Sequence, residues 1–475
     1  MENNKESFHR SLSLLDGSLL VIGSMIGSGI FIVSADIARN VGSAGWLIAV
    51  WLISGFITLS AALSYGELSG MFPKAGGQYV YLREAFGKLF GFLYGWSFFA
   101  VIQTGTIAAV GVAFAKYTGH FFPELGDENI LMSIGGFNIS AAQVLGIASI
   151  GILTYINSRG VENGKWIQFF FTFAKIAALV GLIIFGLLLF DGGEWSANWA
   201  NGWDAMKLDF SSGSMTTESI TGFALVAGIG VAMVGGLFSS DAWNNVTFIA
   251  GEIKRPERNI GLSLFIGTMV VTILYVCMNL MYLNTLTIAE IGNAPSDRIA
   301  VAAAEKMFST GMGAAVIAGL IMVSTFGCNN GLIMSGARVY YTMARDGYFL
   351  PSAGKLNKKG VPSKALWMQF IWASVLCLSG TYGQLLDYLI FTALLFYILT
   401  IVGIFKLRRT MPDHPRPYKA FGYPIIPIVY IIMASLICVV LIINKIENVG
   451  PGLLIVLLGV PVYYYLKKRG LKVDD

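Results

Sequence analysis

Residues 23–31 read Gly23-Ser24-Met25-Ile26-Gly27-Ser28-Gly29-Ile30-Phe31, and Gly228-Ile229-Gly230 is followed by Gly235-Gly236-Leu237-Phe238-Ser239-Ser240-Asp241-Ala242-Trp243-Asn244. Each stretch interrupts a long apolar run. Glycine costs about 1 kcal/mol relative to alanine inside a helix, so clustered glycines favour local unwinding. Glycine also lets helices pack closely, and Gly23 and Gly27 have the spacing of that use. The two stretches taken together favour unwinding. They lie in the first and sixth apolar runs, the first members of two successive sets of five. Interrupted helices at matching positions of two halves mark an inverted-repeat membrane fold.

Composition agrees. Of 475 residues, 55% are hydrophobic and 12% charged, about half the charge of soluble domains. No soluble interior hides that much apolar surface, and disorder, a coiled coil and a disulfide scaffold are excluded too. The apolar runs lie near 14–38, 44–70, 88–117, 142–158, 165–190, 218–248, 260–284, 311–343, 364–382, 384–406, 424–443 and 450–467. A bilayer crossing takes roughly 20 apolar residues, so twelve spans are expected. Irregular backbone cannot face lipid, which makes helices the expected form; the alternation of a β-barrel is missing. The predicted fold is an all-α integral membrane protein with 12 transmembrane helices in one domain, 1–475. A first five-helix repeat covers 14–190, a second, inverted one 218–406, and two peripheral helices 424–467. The longest polar stretches are 118–141, 191–217 and 285–310; Trp195, Trp199 and Trp203 suit the membrane interface.

The net charge of +5 invites a nucleic-acid partner, but the distribution of charge rejects one. Arg39, Lys116, Lys207, Arg298, Lys306 and Lys445 fall on one side, Lys175 lies within a span, and the remaining Lys and Arg flank the alternate loops. By the positive-inside rule both termini are cytoplasmic, with the chain in the cell membrane and the lipid bilayer as its surroundings. No cleavable leader is expected. Cys277, Cys328, Cys377 and Cys438 sit in apolar runs and read as small buried hydrophobes. His9, His120 and His414 form no dyad or metal spacing. The glycines are followed by no Walker lysine. Neither cofactor nor metal is expected, and nothing points to an enzyme.

The remaining candidates are charges and backbone. Unwinding at Gly27-Ser28-Gly29 frees N–H groups at the start of the next half-helix, where a carboxylate is favoured. Asp241 lies mid-span, where a carboxylate costs several kcal/mol unless paired or wetted. It reads as an acceptor for an amine or cationic side chain, as a proton carrier, or as a structural cap. Phe238 reads as a pocket lid or as core. Lys175, in Phe171-Thr-Phe-Ala-Lys-Ile-Ala-Ala-Leu179, is too deep to snorkel easily. Carbonyls of an unwound first span would satisfy it; an interhelical ion pair is the alternative. Glu67, Arg338, Arg345 and Asp346 read as interfacial charges and gate contacts.

Together these residues resemble the amino acid–polyamine–organocation superfamily, and within it the L-type amino acid transporters of bacterial type. Gly23 to Phe31 is similar to the family's first-span signature. Glu67-Leu-Ser-Gly-Met-Phe-Pro73-Lys-Ala-Gly-Gly-Gln-Tyr79 resembles the loop after span 2. Phe171 to Leu179 resembles the fifth span, Trp243-Asn-Asn-Val with Ala250-Gly-Glu252 the end of the sixth, and Gly331 to Asp346 the eighth. The resemblance implies a LeuT-like fold of five plus five inverted repeats. It implies that backbone N–H groups around Gly27, Ser28 and Gly29 hold an amino acid carboxylate, while the amine meets carbonyls near Met25 and Phe238. Phe238 matches the gating aromatic; Ser239, Asp241, Trp243 and Asn244 edge the pocket. Lys175 matches a lysine that takes the place of a sodium ion. The implied activity is sodium-independent amino acid transport, often exchange. Proton-coupled symport on the same fold is the alternative, and a non-transporting amino acid receptor the last. Asp241-Ala242-Trp243 departs from the usual Gly-Gly-Trp or Asp-Gly-Trp, which leaves neutral and cationic substrates both open. Residues 118–141 lack the cysteine that pairs animal members with a heavy chain, so no disulfide-linked partner is expected.

Overall fold

The computed structural model describes residues 8–134, 137–211, 214–308, 312–379 and 382–469. Their helices, in chain order, are α1 (Leu14–Met25), α2 (Ser34–Val41), α3 (Ala44–Met71), α4 (Gln78–Phe86), α5 (Lys88–Ser97), α6 (Gln103–Thr118), α7 (Ala141–Ser158), α8 (Val161–Ile184), α9 (Trp195–Ala200), α10 (Gly222–Ser239), α11 (Asn245–Phe248), α12 (Pro256–Thr285), α13 (Ile288–Gly292), α14 (Ile299–Met307), α15 (Met312–Arg345), α16 (Ser363–Ser379), α17 (Tyr382–Thr410), α18 (Ile425–Asn444) and α19 (Ile446–Arg469). Local chemistry sets several ends. Ser13 and Asp16 form a reciprocal capping box at the start of α1, as do Ser140 and Gln143 at α7, each satisfying two otherwise orphaned N–H groups. Gly42 closes α2 in the left-handed region, at φ 51°, where a side chain would strain the backbone.

Among the described residues, ten helical segments are long and apolar enough to cross a membrane. The first and ninth apolar runs give shorter helices, Leu14–Met25 and Ser363–Leu378. For the first, the reason is visible: its run divides at Ile26–Val33 into α1 and α2. The 12 residues of α1 extend only about 18 Å, against roughly 30 Å of hydrocarbon.

The all-α expectation needs one correction. β1 (Ile130–Ile134) pairs antiparallel with β2 (Phe137–Ser140), and β3 (Met206–Asp209) with β4 (Thr216–Ser219). The first hairpin falls in the polar stretch 118–141, and the second starts in 191–217 and ends two residues beyond it. Backbone there is not confined to helix, because water can satisfy its free edges.

Packing places the two interruptions side by side. α1 lies against α11, and α2 against α10. First half meets second half in each case, so the broken spans run in opposite directions. α12 packs along α3 and α15 along α6, while α1 also touches α8, α12 and α15.

Candidate functional site

The first break begins where α1 ends. Ile26 adopts an extended conformation, and a short 3₁₀ turn, Gly29–Phe31, precedes α2. Carbonyls in the last turn of a helix have no intrahelical donor. Here side chains supply donors. Lys175 Nζ, buried in α8, donates to the carbonyls of Gly23 at 2.9 Å, Ile26 at 2.7 Å and Ser324 at 3.0 Å. Ser324 Oγ, with one proton to donate, lies 3.1 Å from the Ile26 carbonyl and 3.2 Å from that of Gly27. Cys328 Sγ reaches the Ser24 carbonyl at 3.0 Å. The ammonium is thus held by carbonyl oxygens, not by a carboxylate. A buried cation needs such acceptors to offset its lost hydration.

The glycines serve both uses weighed from the sequence. A Cβ on Gly23 would stand 2.0 Å from Gln168 Nε2 and 2.3 Å from Thr172 Oγ1, so this glycine lets α1 and α8 approach. A Cβ on Gly29 would lie 2.1 Å from Ser239 Oγ and 3.0 Å from Ser239 Cα, so this one lets the two breaks meet.

The second break follows Ser239. The Phe238 carbonyl accepts from the Asp241 N–H at 3.1 Å. Ala242 then takes φ 62°, a left-handed conformation that costs a non-glycine residue about 1–2 kcal/mol. It occupies the place of the glycine in the more usual Asp-Gly-Trp. Tyr275 of α12 ties the breaks together: its hydroxyl lies 2.9 Å from the Met25 carbonyl and 3.0 Å from the Ser239 carbonyl. Met25, Gly27, Ser28, Gly29, Phe238 and Ser239 are all buried around this junction.

Asp241 Oδ1 accepts from the Tyr397 hydroxyl at 2.6 Å. That pair lines two small neighbouring cavities, each with room for about one water. Trp243 packs edge-on to Tyr65, with ring centroids 4.7 Å apart. Asn244 Nδ2 donates to Gln78 Oε1 at 3.1 Å, and Gln78 Nε2 to Thr400 at 3.0 Å. The structure therefore brings the two breaks together through Gly29, Ser239 and Tyr275. Lys175 lies on one flank and the Asp241–Tyr397 pair on another.

Glu67 and Arg338, read as interfacial charges and gate contacts, are buried and ion-paired. Glu67 is wholly buried and takes Arg408 Nε at 2.9 Å, Arg408 Nη2 at 2.6 Å and the Ala420 N–H at 2.7 Å. Arg338 is equally buried and paired with Glu252 at 2.8 Å. Their partners are far away in sequence, so position near a span end did not reveal the pairing. Asp346 does keep gate-like contacts, to Arg83 and to the Tyr79 hydroxyl at 2.8 Å. Tyr275, Ser324 and Tyr397 escaped the sequence reading, and Cys328 was read only as a small buried hydrophobe. The cluster Ser324-Thr325 with Asn329-Asn330, polar in mid-span, was the available signal for Ser324 and Cys328.

The amino acid permease family model matches residues 12–464. The chain belongs to the amino acid permease family. It is similar to the serine/threonine exchanger SteT of Bacillus subtilis (strain 168), at 28% identity over 99% of both chains. It is 30% identical to the human large neutral amino acids transporter small subunit 2, over 96% of this chain and 80% of that one. Identity with the human b(0,+)-type amino acid transporter 1 is 28%, over 94% and 84%. These are L-type relatives within the superfamily, and they are transporters. The protein is accordingly a multi-pass membrane transporter, not an enzyme.

Proposed function

We propose that the protein is a sodium-independent amino acid exchanger of the cell membrane, working by alternating access on a LeuT-like fold. In this reading the described helices form twelve spans with both termini cytoplasmic, arranged as repeats 14–190 and 218–406 plus a peripheral pair, 424–467. The opposed broken spans support it, as does the pairing of α3 with α12 and α6 with α15, helices at matching places in the two repeats.

The observation that carries the function is Lys175. Its ammonium sits among three carbonyls, two of them from the first break. Such an oxygen set would suit a bound cation. A tethered cation cannot leave with the substrate, so it harvests no ion gradient. Substrate then moves against substrate. The names of the relatives, an exchanger and two amino acid transporters, agree with that. In the site, N–H groups at Gly27, Ser28 and Gly29 take the substrate carboxylate, and the carbonyls of Met25 and Phe238 its amine. Phe238 closes over it; Ser239, Asp241, Trp243 and Asn244 border its side chain. The transporter needs no disulfide-linked heavy chain.

Proteoliposome uptake tests this. Labelled amino acid should enter only vesicles loaded with unlabelled amino acid, with or without sodium. Uptake into empty vesicles driven by an inward proton gradient would replace exchange with symport. The buried Asp241–Tyr397 pair is the observation that keeps symport as the second reading.

A further inference from the structure

Asn245 opens α11, directly after the second break. Its backbone N–H is used, donating to the Ala242 carbonyl at 3.2 Å. Its side chain is 1% exposed, and neither Oδ1 nor Nδ2 has a hydrogen-bond partner. Buried polar groups in folded proteins are overwhelmingly paired, so a carboxamide with both ends open has capacity for a further partner. Asn244 beside it is different, being engaged by Gln78. Asn245 lines one of the two small cavities at Asp241, which has room for about one water, with Tyr94, Phe98, Asp241 and Tyr397 among its walls. The aromatic rings make most of the surface apolar. The Asp241 carboxylate already receives the Tyr397 hydroxyl. The Asn245 amide, with its two N–H donors and its carbonyl oxygen open, is a group in this wall that can both donate and accept, beside the second Asp241 oxygen, which only accepts.

We infer that this cavity widens on binding to receive the side chain of the transported amino acid and that Asn245 selects it. The favoured substrates are uncharged side chains that both donate and accept hydrogen bonds. A terminal carboxamide, as in glutamine or asparagine, is the best complement, because it answers Oδ1 and Nδ2 at once; a hydroxyl comes next. A branched aliphatic side chain would seal both ends of Asn245 unmet, and sites built to hydrogen-bond a substrate reject analogues that cannot. This inference rests on the exchanger reading and names the substrate class of that same site.

The test uses the full chain in proteoliposomes loaded with unlabelled glutamine and leucine, with labelled glutamine or leucine outside. Serine, threonine, asparagine, glutamine, leucine, isoleucine, lysine and arginine serve as competitors. Glutamine and asparagine should compete at concentrations at least ~10-fold below leucine or arginine. Asn245→Leu should raise the KM for glutamine at least ~10-fold and lower that for leucine. Asn245→Ser, which keeps a donor and an acceptor, should retain part of the preference and answers for the fold if Asn245→Leu does not assemble. Leucine or arginine competing as well as glutamine overturns the inference, as does an equal effect of Asn245→Leu on every substrate. Exchange without this selectivity overturns the inference alone. Absence of exchange for every amino acid overturns the exchanger reading, and the inference with it.

Discussion

Replacing Lys175 by methionine keeps the length of the side chain and removes its charge. Three hydrogen bonds disappear, to the carbonyls of Gly23, Ile26 and Ser324. The losses are unequal. Ile26 still has the Ser324 hydroxyl within reach, shared with Gly27. Ser324 lies inside α15, where a carbonyl also serves the helix itself. Gly23 stands in the last turn of α1 and loses its donor. A buried carbonyl left unmet costs about 1–3 kcal/mol, equivalent to about 5- to 150-fold in a conformational equilibrium. Global stability should move less, because the variant no longer buries an ammonium, whose desolvation costs several kcal/mol. The penalty falls on the broken conformation of the first span. The expected result is an exchange rate in proteoliposomes reduced by roughly that factor, with only a small change in thermal unfolding. Wild-type exchange by Lys175→Met, in sodium and without it, would refute the reasoning.

Gly29→Ala should abolish ligand-induced thermal stabilisation, since the new Cβ meets the Ser239 backbone at 3.0 Å as well as its hydroxyl; unchanged stabilisation by substrate would mean the breaks can separate without loss. Glu252→Ala leaves Arg338 buried and unpaired, which should cost about 3–5 kcal/mol and lower the melting temperature of the purified protein, while Glu252→Leu combined with Arg338→Met should recover much of it. Outside the spans, burial raises the Glu290 carboxyl, but the Thr287 N–H and Lys306 outweigh it and hold it below its ordinary value; burial lowers Lys306, yet Glu290 and Glu194 lift it above its own. The carboxylate's contribution is present above about pH 4.3 and lost as pH falls through the depressed value; that of the amine is present below about pH 10.4 and lost as pH rises through the elevated one. Both groups are partly exposed, so each term stays below about 1 kcal/mol, and Glu290→Gln should flatten the acid limb of a melting-temperature profile and, by removing one of the two carboxylates that lift Lys306, part of the alkaline limb.

The breaks were legible because glycines cluster there, and Lys175 and Asp241 because charge is scarce in apolar runs. Hydroxyls were harder to read. Ser and Thr in a helix commonly bond the carbonyl one turn back, as Thr58 does to Ser54 and Thr106 to Ile102, so a mid-span hydroxyl announces nothing by itself. Ser324 and Tyr275 gain meaning only from the first break, nearly 300 and 250 residues away in sequence. Glu67 depends on Arg408, 341 residues distant. Asn245 was hidden differently: it follows Asn244 in a polar motif, and only tertiary structure separates the amide that is engaged from the one that is open.

The Tyr275 hydroxyl faces two carbonyls, one from each interrupted span. It carries a single proton. The two contacts are therefore alternatives in time, selected by rotation about one C–O bond, and serving one half of the molecule withdraws service from the other. An arriving ammonium, with three protons to offer, would end that competition and let both halves be satisfied together.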